Sequence, residues 1–349
     1  MSIVHICNMD KFIPSFIDLV NEDFESSEHS FWLYGDLKRY SVNDIGNVKY
    51  LSGGKWAKIK NGLELLKEIK QCDKIILHSL PTPKIISLLL INPDVLKKCY
   101  WFVWGGDLYQ YKLAKRNFKW YLREVVRRQA IKRLGNIVTY IKGDFELVRE
   151  WYGNNGKLSE CLMYKSNTYN KVEINEERSE LSDKITILLG NSADPSNNHL
   201  SAFDKIEKFK NEDIEIITPL SYGIKEYAEM IIMEGEKRFG DKFKPITNFM
   251  PYDQYLKLLS NVNIAIFNHS RQQAMGNTIS LLGLKKTVYL NKNTTQWTFF
   301  EEKGIHVLDV QDFSLKILSE DKRNINEEKI EDYFSIKNLT QQLKDIFNS

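Results

Sequence analysis

The sequence predicts an α/β protein built from two Rossmann-like αβα domains, each on a parallel sheet, facing one another across a cleft. Three observations carry this. The chain has 349 residues, enough for about two domains of ordinary size. Short β-rich runs alternate with amphipathic helical segments through both halves, the pattern of stacked βαβ units. A polar, charged stretch of little periodicity, Ser166–Asp183, separates the halves. The expected division is residues 1–168, a linker at 169–183, and residues 184–349, with the final helix able to pack back on the first domain.

In the first half, strands are expected at Ile3–Cys7, Phe31–Tyr34, Val48–Leu51, Lys74–His78, Tyr100–Val103 and Ile137–Ile141. Between them Phe12, Ile13, Phe16, Ile17 and Val20 recur at helical spacing, and Leu63–Ile69 repeats the pattern. Ile85–Leu90 follows Pro81-Thr82-Pro83, where proline suits a helix start. Gly143-Asp144 forms an N-cap region before Phe145–Trp151. The second half reads as strands at Ile185–Leu189, Ile214–Thr218, Lys244–Phe249, Asn263–Asn268 and Thr287–Asn291. Helices are expected from about Asn197, at Ile224–Phe239, Tyr252–Ser260, Thr278–Leu284 and Trp297–Lys303, and through Leu339, Leu343 and Phe347.

Composition narrows the class. With 42% hydrophobic and 27% charged residues, the chain is that of a folded protein rather than a disordered one. No window approaches 18 uncharged apolar residues and no signal-peptide layout opens the sequence, so a cytoplasmic location is expected. Cys7, Cys72, Cys99 and Cys161 are scattered without C-x-x-C spacing, which argues against zinc and against a disulfide framework. The six histidines are spread out, and no metal is expected. His5 and His78, within strands, read as core or wall residues.

The net charge of +3 hides a strong asymmetry. Lys112–Arg133 holds nine basic residues and one acid, Glu124. On one continuous helical wheel Lys112, Arg116, Trp120, Arg123 and Arg127 share a basic side, while Phe118, Leu122, Val125 and Val126 share an apolar side expected to pack on the sheet. Tryptophan among Lys and Arg suits an anionic membrane surface; a merely solvated basic face is the plain alternative. No nucleic-acid-binding motif accompanies the charge.

Two loops have the chemistry of an anion site. After Ile185–Leu189, Gly190 permits close backbone approach, and Asp194, Ser196 or Asn197 can cap a helix whose amides attract phosphate. After Asn263–Asn268, Arg271 suits bidentate phosphate contact and Gly276, Asn277 and Thr278 open a helix. Each loop also reads as an ordinary capped or solvated turn. No G-x-G-x-x-G, P-loop, H-E-x-x-H or G-x-S-x-G is present, which disfavours dinucleotide hydride transfer, P-loop ATP hydrolysis, zincin and hydrolase chemistry. In the first half, Gly105-Gly106-Asp107 follows a strand end; Asp107 reads as a general base toward a hydroxyl, or as a cap.

Several stretches together resemble the TDP-N-acetylfucosamine:lipid II N-acetylfucosaminyltransferase family, glycosyltransferase family 56. They are WFVWGGDLY at Trp101–Tyr109, LLGNSADPSNNH at Leu188–His199, PLSYG at Pro219–Gly223, FMPYDQYLKLL at Phe249–Leu259 and IAIFNHSRQQAMGN at Ile264–Asn277. The resemblance implies a GT-B architecture in which the second domain holds a nucleotide sugar and the first faces a lipid-linked acceptor. It implies donor contacts from Gly190, Asn191, Ser192, Asn197, Tyr222, Phe249, Arg271, Gln272, Gln273, Gly276 and Asn277; in the expected chemistry Arg271 stabilises the leaving diphosphate and Asp107, from its place at a strand end, assists the acceptor hydroxyl. Many GT-B enzymes place a ribose-binding Glu in the helix after this last loop. Here the helix reads Thr278-Ile279-Ser280-Leu281, which suits a dTDP-sugar lacking the 2′-hydroxyl. The implied activity is metal-independent transfer to an undecaprenyl-diphosphate-linked glycan, as in enterobacterial common antigen or O-antigen synthesis, at the cytoplasmic face of the bacterial inner membrane. A nucleotide-sugar epimerase and a non-enzymatic nucleotide-sugar-binding protein remain open as rivals.

Overall fold

The computed structural model describes residues 1–171 and 184–349, and the chain divides into two compact units. The first comprises Met1–Ser166 with Lys337–Ser349, the second Asn167–Ile336. The second unit therefore begins earlier than the expected boundary. Tyr169 belongs to it, donating its amide to Phe334 O at 2.7 Å. The remainder of the expected linker, 172–183, lies outside the described residues.

The first unit runs β1 (Ile3–Asn8), α1 (Ile13–Asp23), β2 (His29–Tyr34), β3 (Val48–Tyr50), α2 (Lys55–Gln71), β4 (Lys74–His78), α3 (Pro83–Ile91), α4 (Pro93–Lys97), β5 (Cys99–Phe102), α5 (Gly106–Leu113), α6 (Phe118–Ile131), β6 (Asn136–Val138), α7 (Lys142–Tyr152) and β7 (Lys157–Ser159). All pairings are parallel, in the order β3-β2-β1-β4-β5-β6-β7. Strand alternation sorts the side chains. Val4, Ile6, Ile75, Leu77, Cys99 and Trp101 enter one buried cluster with residues of α2, α3, α6 and α7. On the other side His5 packs between Phe16 of α1 and Phe347 of the last helix.

That opposite side carries a chain of buried imidazoles. His29 Nδ1 lies 2.9 Å from His5 Nε2, His5 Nδ1 lies 3.1 Å from His78 Nε2, and His78 Nδ1 lies 2.8 Å from the Tyr164 hydroxyl. Trp104 Nε1 donates to the same hydroxyl at 2.8 Å. Every ring nitrogen inside the chain is paired when the three neutral rings adopt one tautomer in common.

The second unit runs β8 (Ile185–Leu189), α8 (His199–Ile206), β9 (Ile214–Pro219), α9 (Lys225–Phe239), β10 (Phe243–Ile246), α10 (Tyr252–Ser260), β11 (Ile264–Phe267), α11 (Met275–Gly283), β12 (Thr287–Leu290), α12 (Thr295–Glu302), β13 (Leu308–Asp309) and α13 (Glu320–Tyr333). Its parallel order is β10-β9-β8-β11-β12-β13. Ile187, Leu189, Ile216, Ile264 and Ile266 form its core with Phe203 and Ile231. The last helix, α14 (Ile336–Asn348), belongs to the first unit from Lys337 onward. Lys74 fixes it there, donating through Nζ to Ile346 O at 2.7 Å and Phe347 O at 2.8 Å, which satisfies carbonyls at the negative end of the helix dipole.

Two expectations are corrected. Pro195–Asn197 form a 3-10 turn, and α8 starts only at His199, after a left-handed Asn198. The basic stretch is two helices, because Asn117 caps α6 by accepting the Trp120 amide at 2.9 Å and breaks the wheel. Arg127 then points inward. It is buried and donates to Glu124 Oε2 at 3.2 Å, Asp107 O at 2.8 Å and Tyr152 OH at 3.3 Å. Phe118, Leu122 and Val125 stand in solvent instead of on the sheet, and only Val126 of the four packs on the core.

Candidate functional site

The second unit gathers polar side chains at the carboxyl ends of its neighbouring central strands β8 and β11, where open parallel sheets bind ligands. Two glycines shape the first loop. Gly190 has φ +67°, and a Cβ there would stand 2.6 Å from His199 Nε2 and 2.8 Å from Asn197 Oδ1. Gly223 has φ +120° and lies so close to Ala193 that a Cβ would meet its carbonyl at 2.5 Å. This approach lets Ala193 N donate to Tyr222 O and Ile224 N donate to Ala193 O, both at 2.8 Å, tying the β8 loop to the β9 loop.

The β8 and β11 loops are also braced to each other. Asn197 Oδ1 accepts the Asn191 amide and His269 Nε2, each at 3.0 Å. An amide oxygen only accepts, so His269 carries its proton on Nε2. Asn197 Nδ2 donates to Ser192 Oγ at 3.3 Å and Asp194 O at 3.1 Å. A second chain runs from Ser196 Oγ to Gln273 Oε1 (2.7 Å), from Gln273 Nε2 to Asn191 Oδ1 (3.1 Å) and from Asn191 Nδ2 to Tyr222 OH (2.7 Å). Burial pushes the imidazoles down, His199 to about 4 and His269 to about 3, Arg271 adding to the effect at His269. Both rings are neutral framework at pH 7. The Asp194 carboxyl is pushed up by burial, but the Ser196 hydroxyl and amide, with Arg271 and His269 nearby, outweigh this and hold it below its ordinary value.

This network separates the expected donor residues into two groups. Asn191, Ser192, Asn197 and Gln273 are buried and satisfy one another, Asn197 completely so. They shape the loops rather than offer free groups. The amide of Ser196, expected to attract phosphate, is taken by Asp194 Oδ1 at 2.8 Å. The second group is accessible. Arg271, Gln272, Gly276 and Asn277 are half-buried, and Tyr222 and Phe249 are exposed.

The start of α11 is unlike the Asp194 turn. Ala274, left-handed at φ +57°, precedes the helix without a side-chain cap, and the amides at Gly276 and Asn277 come before the first helical bond, from Thr278 N to Ala274 O. Arg271, donating through one guanidinium nitrogen to Gln272 O at 2.9 Å, stands three residues before it. A strand end, an uncapped helix start and a guanidinium together suit an anionic group. Asn277 Nδ2 donates to Tyr255 OH at 2.9 Å, orienting the first turn. Gln296 of α12, which sequence reasoning missed, donates to Thr278 Oγ1 at 2.9 Å and braces the turn from behind. Its only sequence signal is an amide one residue before the aromatic run of Trp297, Phe299 and Phe300.

In the first unit Asp107 is no free base. Its buried carboxylate accepts Ser79 Oγ (3.0 Å), Leu80 N (2.8 Å), Trp101 Nε1 (2.8 Å) and Trp104 N (3.1 Å). These bonds bind the loop after β4 to the loop after β5 and secure Ser79 in a left-handed conformation, φ +67°. A carboxylate that keeps lone pairs at a strand end is Asp10, after β1, half-buried and accepting the Lys11 amide at 2.6 Å. Sequence reasoning passed over it because no turn motif frames it. Among the described residues no cluster of His, Cys, Asp and Glu suits a metal ion, and no helix is long and apolar enough to cross a membrane.

Solved structures share the fold across nearly the whole chain. Sucrose-phosphate synthase from Thermosynechococcus elongatus matches with a TM-score of 0.68 at 8% identity, covering 100% of this chain and 98% of that one. A UDP-forming trehalose-phosphate synthase from Burkholderia xenovorans matches at 0.64 and 11%, covering 100% and 99%. An E. coli trehalose-6-phosphate structure bound with UDP-2-fluoro glucose matches at 0.60 and 9%, covering 100% and 98%. At such identities the likeness shows the fold, the two-domain GT-B arrangement of parallel-sheet units. The family model for 4-alpha-L-fucosyltransferase, glycosyl transferase group 56, matches residues 60–347. The chain therefore belongs to that family and is a nucleotide-sugar-dependent glycosyltransferase.

Proposed function

We propose that the enzyme moves a 4-acetamido-4,6-dideoxyhexose such as Fuc4NAc, or a similar sugar, from a dTDP-sugar to a polyprenyl-diphosphate-linked oligosaccharide. The setting is bacterial surface polysaccharide synthesis, of the enterobacterial common antigen or O-antigen type, with the enzyme peripheral on the anionic cytoplasmic face of the inner membrane. The observation that carries the donor side is the uncapped start of α11 with Arg271 beside it. The bond from the sugar C1 to the diphosphate oxygen breaks with its electron pair leaving on dTDP, and the first-turn amides of α11 and the Arg271 guanidinium stabilise that charge without a bound metal. The acceptor hydroxyl bonds C1, and its proton passes to a carboxylate. Asp10, half-buried and accepting one amide, takes this role ahead of Asp107, which is buried under four donors. The absence of a carboxylate at Thr278-Ile279-Ser280-Leu281 favours a deoxyribose donor.

The test combines ligand screening with transfer. In a thermal-shift panel of dTDP-, UDP-, GDP- and CDP-sugars, the dTDP ligand should stabilise by about 2.7 kcal/mol at 100 times its dissociation constant. Arg271→Ala should cut transfer by roughly 10²-fold or more at unchanged melting temperature, and Asp10→Asn should lower turnover more than donor affinity. EDTA should leave transfer unaltered. Wild-type turnover in Arg271→Ala, or product formed from the nucleotide sugar with no acceptor present, overturns the reading, the latter in favour of an epimerase.

A further inference from the structure

Two helices of the first unit expose the wrong face. On α6, Phe118, Tyr121, Leu122 and Val125 are 76%, 55%, 57% and 63% exposed, a continuous i, i+3, i+4, i+7 stripe that ordinarily meets a core. On α2, Trp56, Ile59 and Leu63 are 83%, 49% and 63% exposed, again at i, i+3, i+7. The stripes lie on one side of the same sheet, since Leu65 and Ile69 of α2 and Ala130 and Ile131 of α6 enter a single buried cluster. Each stripe begins at the first turn of its helix, the end nearer the carboxyl ends of the strands from which α2 and α5–α6 depart.

Exposed cations flank both stripes. Lys112, Lys115, Arg116, Lys119 and Arg123 are exposed around the α6 stripe, whereas Glu124 is buried against Arg127 at 3.2 Å. Lys58, Lys60 and Lys67 are exposed on α2, whereas its acids Glu64 and Glu68 both pair with Lys49. Aliphatic and aromatic side chains ringed by cations, with the acids withdrawn, complement an anionic bilayer, whose headgroups take the cations and whose acyl boundary takes the stripe. A nucleic acid would use the cations and stack on the aromatics but has no use for Ile59, Leu63, Leu122 and Val125.

We infer that these two stripes form a bilayer-docking surface through which the first unit inserts Phe118, Tyr121, Leu122, Val125, Trp56, Ile59 and Leu63 into anionic lipid. The inference deepens the lipid-linked acceptor assigned above and rests on it for its purpose, but its geometry stands apart from the donor site. It also relocates the membrane contact expected from sequence, since Arg127 is internal and the apolar residues lead.

The full-length enzyme is floated with vesicles of phosphatidylglycerol and phosphatidylethanolamine, and with phosphatidylcholine alone. Strong partition onto the anionic vesicles and weak partition onto the neutral ones is expected. Leu122→Asp/Val125→Asp should reduce anionic partition at least tenfold at unchanged melting temperature, because both side chains stand in solvent. Lys119→Glu/Arg123→Glu should reduce it and flatten its salt dependence. Transfer to a water-soluble acceptor should persist in both variants. Absence of wild-type flotation overturns the docking surface, as does Leu122→Asp/Val125→Asp floating like wild type, or the same variant only dissociating a dimer. Flotation that persists while no polyprenyl-diphosphate acceptor is glycosylated strikes the proposed function and leaves the docking surface standing.

Discussion

Lowering the pH from 7.5 to 5.5 should remove about 4 kcal/mol from the stability of the first unit. The source is the imidazole chain His29–His5–His78, buried beneath α1 and α14. Burial holds His78 down at about 3 and His29 at about 4, and pushes His5 well below its ordinary value, with His29 and His78 adding to it. All three are thus neutral in the folded unit throughout this range, whereas in the unfolded chain each titrates near 6.5. The unfolded state binds more protons as pH falls, so the stability is full above about 6.5 and is lost progressively toward the folded values near 4 and 3. One unit below its unfolded value, each ring costs about 1.4 kcal/mol, and the three sum to about 4. For a unit of this size that is a fall of roughly 8–16 °C in Tm. Carboxylates contribute little to the difference because they titrate lower. Urea unfolding followed by tryptophan fluorescence reads this unit, since six of the seven tryptophans lie in it and only Trp297 in the other. Equal unfolding free energies at pH 7.5 and 5.5 would refute the neutral, buried assignment, as would imidazolium nitrogen shifts in an NMR spectrum at pH 6.

Asp107→Asn should cost about 3 kcal/mol, because at least one of four inward donors then meets an NH2 group. Turnover per folded molecule should fall less than about threefold; a stable protein with turnover abolished would restore Asp107 as the base. Gly190→Ala should destabilise by about 2–4 kcal/mol through its left-handed backbone and the crowding of His199 and Asn197. It should also shrink the stabilisation by a dTDP-sugar, and a melting temperature and ligand response like wild type count against the packed-loop geometry.

Much of the fold was legible because buried parallel strands read as apolar runs. Lys74–His78 and Ile185–Leu189 coincide with β4 and β8 to the residue. The strands that escaped notice are the edge strands β7, Lys157–Ser159, and β13, Leu308–Asp309, too short and too exposed to carry a pattern. The candidate site was half legible. Its loops stand out as glycine, asparagine and arginine at strand ends, but which of their polar groups remain for a ligand depends on partners distant in sequence. Asn197 is consumed by His269, 72 residues away. Asp107 is consumed partly by Ser79, 28 residues before it.

Helix α6 shows why hydrophobic periodicity alone misassigned a face. The cap at Asn117 removes Lys112 and Arg116 from the wheel, but inside α6 the two sides stand as expected, and it is the side turned to the core that is reversed. Within the new helix Glu124, Arg127, Ala130 and Ile131 turn inward, so a charged pair occupies positions that pattern reading reserves for apolar residues. Burying that pair is costly; Asp107 O and Tyr152 OH take up Nη2 of the guanidinium while Nε donates to Glu124 Oε2, and Glu124 Oε1 is left without a hydrogen-bond partner among the described residues. The same turn that hides these charges sets Phe118, Tyr121, Leu122 and Val125 in water, where they contribute nothing to folding and favour association. An inverted helix needs an interior that answers its charges, and its outward apolar side needs a partner in turn, which the docking surface proposed above takes to be lipid.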